Sequence, residues 1–480
     1  MKPGLITSRR GFLGLLGLGG AAIAVPRMFQ RQARAAGAAD GTNADDATEP
    51  VFLVFCTFDG GWDQLLAFDP RDNTRFTDPA KLHPAYDVAA LSDPTLAQVL
   101  ADTGGTGLVT PTGSNITFGP AVGKLANRFA DLSVVRGVFM GTLTHEVGKR
   151  YFLTGKFPRG LQASGSSLAT WAVAQSGDRT PIPNLVVGTE SYNEGLDPFA
   201  SGLVVNSSTD VLTVLSRIGT ALPGTSTAAI DSYVWAQKCA DTRLDGSGHV
   251  TAYLDSYERA KVFSEGTLAQ HFNFKSTGAS AEIQALYEAF SVTPNQGLSQ
   301  TLAGPKGQAM IAAQAITQGV SQAVSIRLAS NIDHHDDDWA SLHSTALRNG
   351  FDALDALIGH LQAVELPGTG KSYWDRTIVV VGSDFARTPT LNSRGGRDHH
   401  LASTALIASG LPSLRGNTVI GGTDDATMAG LIVDPKTGAT SEDGVSIRPA
   451  DVHATVCHAA GLSYDHVLNQ DPKLLEPLLA

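Results

Sequence analysis

Six consecutive residues, Asp333 to Asp338, carry four carboxylates and two imidazoles. Carboxylates this close repel one another. Either water solvates them as a charged loop, or a cation neutralises part of the run. The same residue types recur elsewhere. Asp59 follows the apolar run VFLVFCTF, within DGGWD, and Asp384 follows a second run in IVVVGSD. Asp398, His399 and His400 stand behind two glycines in GGRDHH, with His399 fifteen residues beyond Asp384. Carboxylate oxygens and imidazole nitrogens together are the donor set of a divalent ion such as Zn, Mn or Fe, and they do not exclude Ca. Singly, each residue suits a helix cap or a solvated loop; as a set they point to a metal.

For these residues to meet, distant segments must end at one place. VFLVFCTF (51–58), LSVVRGVF (132–139), AVSIRLA (323–329) and RTIVVVGSDF (376–385) are apolar runs without alternation. Such runs suit strands buried on both faces of a parallel sheet. PNLVVG and SGLVVN read as shorter strands. Helical patterns lie at 167–175, from about 225 to 318 (including AYLDSYERAKVF and AEIQALYEAF), and in SLHSTALRNGFDALDALIGHLQAV. Strands alternating with helices predict an α/β fold: a mostly parallel central sheet with helices on both faces, plus a helical insertion at about 225–318. Ligands of such sheets bind beyond the carboxyl ends of the strands. Asp59 and Asp384 end their strands, and Asp333 comes four residues after Ala329. Three aspartates are therefore expected along one edge.

The remaining features set bounds. The chain has 480 residues, 42% of them hydrophobic, enough for one large α/β domain or two smaller ones. Net charge is −11, which does not suit a nucleic-acid partner. Residues 1–35 pair Arg9 with Arg10 ahead of Phe12, Leu13 and a short Gly-rich apolar stretch, and end in the small-residue segment ARA. This resembles a twin-arginine export signal, so the expected plan is a signal at 1–35, a polar linker at 36–50 and an α/β domain at 51–480. It implies the twin-arginine machinery as a partner, a periplasmic or secreted destination and no stable membrane anchor. Removing the six basic side chains of that segment takes the charge from −11 to −17. Cys56, Cys239 and Cys457 cannot all pair within one chain. Cys56 reads as a core residue. His453 and Cys457 share a helix face, where packing is favoured over metal binding.

The segments FDGGWD, THEVGKRYFLTG, IDHHDDDW, SDFARTP and GGRDHH, in this order, resemble the exported bacterial family of domain of unknown function 1501. That family belongs to the alkaline phosphatase-like superfamily, with the sulfatases, phosphopentomutases and nucleotide phosphodiesterases. The resemblance runs from about Val51 to the C-terminus. It implies an alkaline phosphatase-like fold and one or two divalent ions, one held by Asp59 and Asp384, the other by Asp333, His335 and His399. The sequence departs from the pattern twice. A histidine that follows the position of Asp384 in many members is Phe385 here, leaving Asp63, His334, Asp336 and Asp398 as candidate substitutes. Anchored on Leu153-Thr154-Gly155, the sulfatase nucleophile position falls on His145, and an arginine position falls on Lys149.

Three readings of that departure stay open. His145 is an additional metal ligand with water attacking directly, or it is itself nucleophile or general acid/base, or neighbouring Thr144 is the nucleophile. The resemblance implies metal-dependent hydrolysis of a phosphate or sulfate ester, an anionic small molecule. Lys149, Arg150, Arg387 and Arg397 are candidate anion contacts, Arg387 foremost. The alternative is a non-catalytic secreted binding or surface protein that keeps a structural metal.

Overall fold

The computed structural model describes residues 50–78, 80–83, 94–177, 180–215, 232, 267–295 and 297–480. The expected signal, nearly all of the expected linker and the helix expected in AYLDSYERAKVF lie outside the described residues. The chain divides into units 1–48 and 49–480, and all described residues belong to the second.

Among the described residues, eight strands form one sheet. They are β1 (Phe52–Phe58), β2 (Leu132–Phe139), β3 (Asn184–Val187), β4 (Leu203–Val205), β5 (Ala323–Ala329), β6 (Thr377–Ser383), β7 (Ala402–Ser409) and β8 (Thr418–Ile420). Their order is β8-β2-β7-β6-β1-β5-β3-β4. β1 pairs in parallel with both β5 and β6 at the centre. β7 alone runs against its neighbours, β2 and β6. This is the α/β class that the apolar runs imply.

Helices cover both faces, and β1 shows why its sequence lacks polar alternation. Val54, Cys56 and Phe58 enter one core with α3 (Pro305–Thr317) and α4 (Ser344–Ala363). Leu53 and Phe55 enter the other with α1 (His145–Thr154), α2 (Leu168–Ser176) and α5 (Pro449–Ala459). Complete burial of one such side chain is worth roughly 1.5–3 kcal/mol, so both faces favour apolar residues. α3 lies inside the expected insertion but is no appendage. Residues 307–316 of it are buried against the sheet, making it the crossover that feeds β5. No helix among the described residues is long and apolar enough to cross a membrane.

The antiparallel strand β7 was not anticipated from its sequence. ASTALIAS is built of small residues and resembles neither a Val-rich run nor a helix face, yet every position is buried. Its direction matters for the site. Because it runs opposite to its neighbours, β7 starts at the edge where they end. Whatever precedes it in the chain is delivered to that edge.

Candidate metal centre

Each element contributes at this edge by its own local logic. Asp59 follows β1, and its amide donates to the Ala329 carbonyl at 3.0 Å while Ile332 donates back to the Asp59 carbonyl at 3.3 Å. This ties the end of β1 to the loop that carries Asp333. Asp384 follows β6. His145 is the first residue of α1, six residues after Phe139 ends β2. His399 and His400 form a short antiparallel ladder with Ala386 and Arg387, directly before β7.

The structure brings His145, Asp333 and His399 together, with one ligand atom of each within 4.8 Å of the others. Asp333 Oδ1 lies 3.3 Å from His145 Nε2, 3.1 Å from His399 Nε2 and 2.9 Å from His335 Nε2. His335 Nε2 is also 3.1 Å from His399 Nε2. The opposite nitrogens decide the tautomers. His145 Nδ1 bonds the Asp384 carboxylate, His335 Nδ1 lies 2.9 Å from Asp398 Oδ1, and His399 Nδ1 lies 2.7 Å from the Leu143 carbonyl. All three partners are acceptors, so each neutral ring carries its proton on Nδ1 and presents a lone pair at Nε2. Three lone pairs then converge on a carboxylate oxygen. The Arg387 guanidinium meets these acceptors from one side, with Nη2 on Asp333 Oδ1 and Nη1 3.3 Å from His335 Nε2, and the remaining donor set fits a divalent ion. His145 Nε2 is buried and has no hydrogen-bond partner among the described residues, the orphaned atom such an ion would satisfy.

Arg387 supports the cluster from below. Its side chain is sealed from solvent, with Nε donating to the Gly61 carbonyl at 2.9 Å, Nη2 to the Gly60 carbonyl and Asp333 Oδ1, and Nη1 to the Arg397 carbonyl at 3.2 Å. Its fork therefore engages the protein itself rather than an open cavity. Burial would raise the Asp333 carboxyl, but the Arg387 guanidinium outweighs it and holds the group well below the usual carboxylate range. Burial lowers the His399 imidazole, with Asp333 opposing. At His145 burial acts against the charge, yet the Asp384 hydrogen bond and charge prevail and lift its pKa above the ordinary value.

Asp384 sits in a different environment. Its side chain is 2% exposed. Oδ1 accepts from Gly61 N at 2.6 Å, Ser383 Oγ at 2.7 Å and Gly60 N at 3.2 Å, while Oδ2 accepts from His145 Nδ1 and from Gly60 N at 3.3 Å. Gly60 and Gly61 turn their amides inward at φ +121° and +77°, conformations open to glycine. Asp59 pairs with a lysine: Oδ2 is 3.3 Å from Lys149 Nζ and 3.9 Å from Arg327 Nη1. Burial raises the Asp59 pKa, Lys149 opposes this, and the Asp384 charge adds to the rise. A hollow of about 180 Å³ opens between Asp59, His145, Glu146, Lys149, Asp333 and Asp384.

The other candidates lie elsewhere. Thr144 is exposed at the N-cap of α1 and is not among the residues lining the hollow. Asp63 is fully buried, 2.9 Å from Arg397 Nε, and also accepts from Trp339 Nε1 at 3.0 Å. Arg397 in turn stacks on Trp339 at 4.3 Å. These two charges serve each other, and Trp62 and Trp339 are core residues. Asp398 bonds the rear of His335 instead of the centre. Asp336 to Asp338 are exposed, and His334 sits beside His343. Arg150 bonds Glu190 at 3.1 Å and Tyr192 at 2.9 Å. His453 donates from Nε2 to the Phe152 carbonyl at 2.8 Å and lies 3.2 Å from His466, on the packed face of α5, and Cys457 is buried. Reading the sequence missed Phe385 as a contributor. Its buried ring lies 4.6 Å from the His145 ring and 4.5 Å from the His399 ring, walling the back of the cluster.

Among solved structures, Ps i-CgsB in complex with k-i-k-neocarrahexaose is 8% identical, covering 90% of this chain and 76% of its own, with a TM-score of 0.37. The PsFucS1 sulfatase from Pseudoalteromonas sp. is 11% identical, covering 91% and 73%, with a TM-score of 0.36. The phosphonate monoester hydrolase of Agrobacterium radiobacter is 12% identical, covering 86% and 74%, with a TM-score of 0.29. No curated protein matches the sequence. Residues 51–473 match the family described as "Protein of unknown function (DUF1501)", and the chain belongs to that family.

Proposed function

We propose that the protein is an exported metal-dependent hydrolase of phosphate or sulfate esters. One observation carries the reading: three imidazoles, each fixed by an acceptor at Nδ1, aim Nε2 lone pairs at one carboxylate oxygen beside an open hollow. His145, Asp333 and His399 would hold a divalent ion, with His335 alongside. An imidazole-rich set favours Zn, Mn or Fe over Ca or Mg. Such an ion polarises an ester oxygen and eases deprotonation of water.

The chain's own residues supply the rest. The hollow is lined by four carboxylates, Asp59, Glu146, Asp333 and Asp384, so an anionic ester enters only where positive charge offsets them. The Lys149 ammonium faces the hollow and would bind an ester oxygen. Phe385 keeps water from the rear of His145 and His399, which strengthens every charge interaction in front of them. Asp384 orients His145, and Asp398 orients His335. His145 reads best as a ligand, because its Nε2 is one of the three converging nitrogens. Thr144 has no part in this reading.

The test is elemental analysis of the purified chain, followed by assays on aryl phosphate, aryl phosphodiester and aryl sulfate. Turnover of one of these is expected, falling at least about a thousandfold in Asp333→Ala and His399→Ala. An ion bound at full occupancy with every ester untouched would instead assign the metal a structural role in a secreted binding protein.

A further inference from the structure

The superfamily resemblance leads to the expectation of a second ion between Asp59 and Asp384, and the residues there do not fit one. We infer that the centre is mononuclear, with the Lys149 ammonium standing in the second ion's place. This rests on the metal-dependent reading above and narrows it.

Three observations carry the inference. First, Asp384 and Asp333 are both crowded, but main-chain amides predominate at one and imidazoles at the other. Around Asp384 stand permanent donors, two backbone amides at 2.6 and 3.2 Å from Oδ1, and the Ser383 hydroxyl lies 2.7 Å away, its one hydrogen shared with the Phe58 carbonyl. Backbone amides cannot swing away, so an ion at Asp384 would face N–H dipoles pointing at it. Around Asp333 Oδ1 stand three imidazole nitrogens, which an ion satisfies, and one guanidinium donor, Arg387 Nη2. Asp333 is also 39% exposed, against 2% for Asp384. Second, Asp59 already has a cation. Lys149 Nζ lies 3.3 Å from Oδ2, and Lys149 lines the same hollow as His145. Third, the residue after Asp384 is Phe385, whose ring fills the space behind His145 and His399 with carbon. The histidine that the resemblance implies after Asp384 is thus missing as a ligand for a second ion.

The assignment changes the roles of three residues. Asp384 becomes a positioning residue, acting through the Nδ1–H of His145. Asp59 holds and orients Lys149. Lys149 gives the site a single positive charge with N–H donors, suited to one non-bridging oxygen of an ester anion. This charge differs from an ion in one testable respect: chelators cannot remove it.

The decisive experiment loads the metal-stripped chain with excess Zn or Mn, desalts it, and measures ion content and affinity. One ion per chain is expected. Asp59→Asn and Lys149→Met should each retain one ion with affinity changed less than about threefold, while Lys149→Met raises KM for the ester more than it lowers kcat. Asp384→Asn should also retain one ion, bound ~10–100-fold more weakly, because His145 loses its orienting partner. Circular dichroism checks that each variant folds. Two ions per chain, or loss of the ion in folded Asp59→Asn, overturns the inference while leaving hydrolysis intact. One ion with no ester turned over overturns the hydrolase reading and leaves the single-ion centre standing. No ion at all overturns both.

Discussion

At the scale of the residue, the centre depends on atoms that never touch it. A histidine presents its Nε2 lone pair only when Nδ1 keeps the proton, and at His335 that choice belongs to Asp398, 2.9 Å away. Asn392 adds an amide donor to the same carboxylate oxygen at 3.1 Å. Asp398→Asn would offer His335 an amide whose NH2 end can face Nδ1 and invert the tautomer. Ion affinity is expected to fall ~10–100-fold with secondary structure unchanged, as followed by competition with a chromogenic chelator. Much of this layer was legible in the sequence as residue type: DHH, DHH again, and an aspartate after each of two strands. What could not be read was the difference between Asp333 and Asp384. Both are aspartates after buried strands. The donors that occupy Asp384 are main-chain amides, which leave no signature in residue type beyond the permissive Gly60 and Gly61. The Asp63–Arg397 pair was hidden for a related reason, since nothing in one sequence links positions 334 apart.

At the scale of the element, α1 carries both His145 and Lys149, so its seating on the sheet sets the whole geometry. The seating is backbone against backbone. A Cβ built on Gly148 would lie 2.0 Å from the Asp384 carbonyl oxygen. Replacing glycine by alanine inside a helix ordinarily stabilises it by about 0.5–1 kcal/mol. Gly148→Ala should do the opposite here. It is expected to destabilise the fold by roughly 1–3 kcal/mol, by lifting α1 from the end of β6, and to weaken the ion with it. Urea unfolding and ion titration on the same preparation check both effects. The strands of the central sheet were readable because burial on two faces demands unbroken apolar runs. β7 was not, because Ala and Ser fill a tight interior without marking it as a strand. That miss mattered: the direction of β7 is what brings His399 to the shared edge.

At the scale of the whole molecule, acid should loosen the fold from the side of the sheet that α5 covers. His453 and His466 lie 3.2 Å apart, Nδ1 to Nε2, both buried. Burial pushes His453 down to about 4 and His466, with His453 beside it, down to about 2. Both folded values lie below the ordinary histidine value near 6.5, so the fold favours the neutral rings. Their contribution is complete above about pH 6.5 and is lost as pH falls towards the folded values, at about 1.4 kcal/mol per unit for the first ring to charge. The melting temperature should drop between pH 6.5 and 4, and a His453→Gln, His466→Gln double variant should flatten that part of the profile. The rings face one another, so they charge singly.

The loop that carries Asp398 and His399 is anchored by Arg397, whose side chain and that of its partner Asp63 are 0% and 1% exposed. Mobile ions screen charges by gathering around them in water, and here there is no water to gather in. The exposed acids of the neighbouring run, Asp336 to Asp338, answer to the salinity of the medium, while the clamp beneath them does not. The alignment of His399 thus rests on an anchor that the salinity of the medium cannot reach.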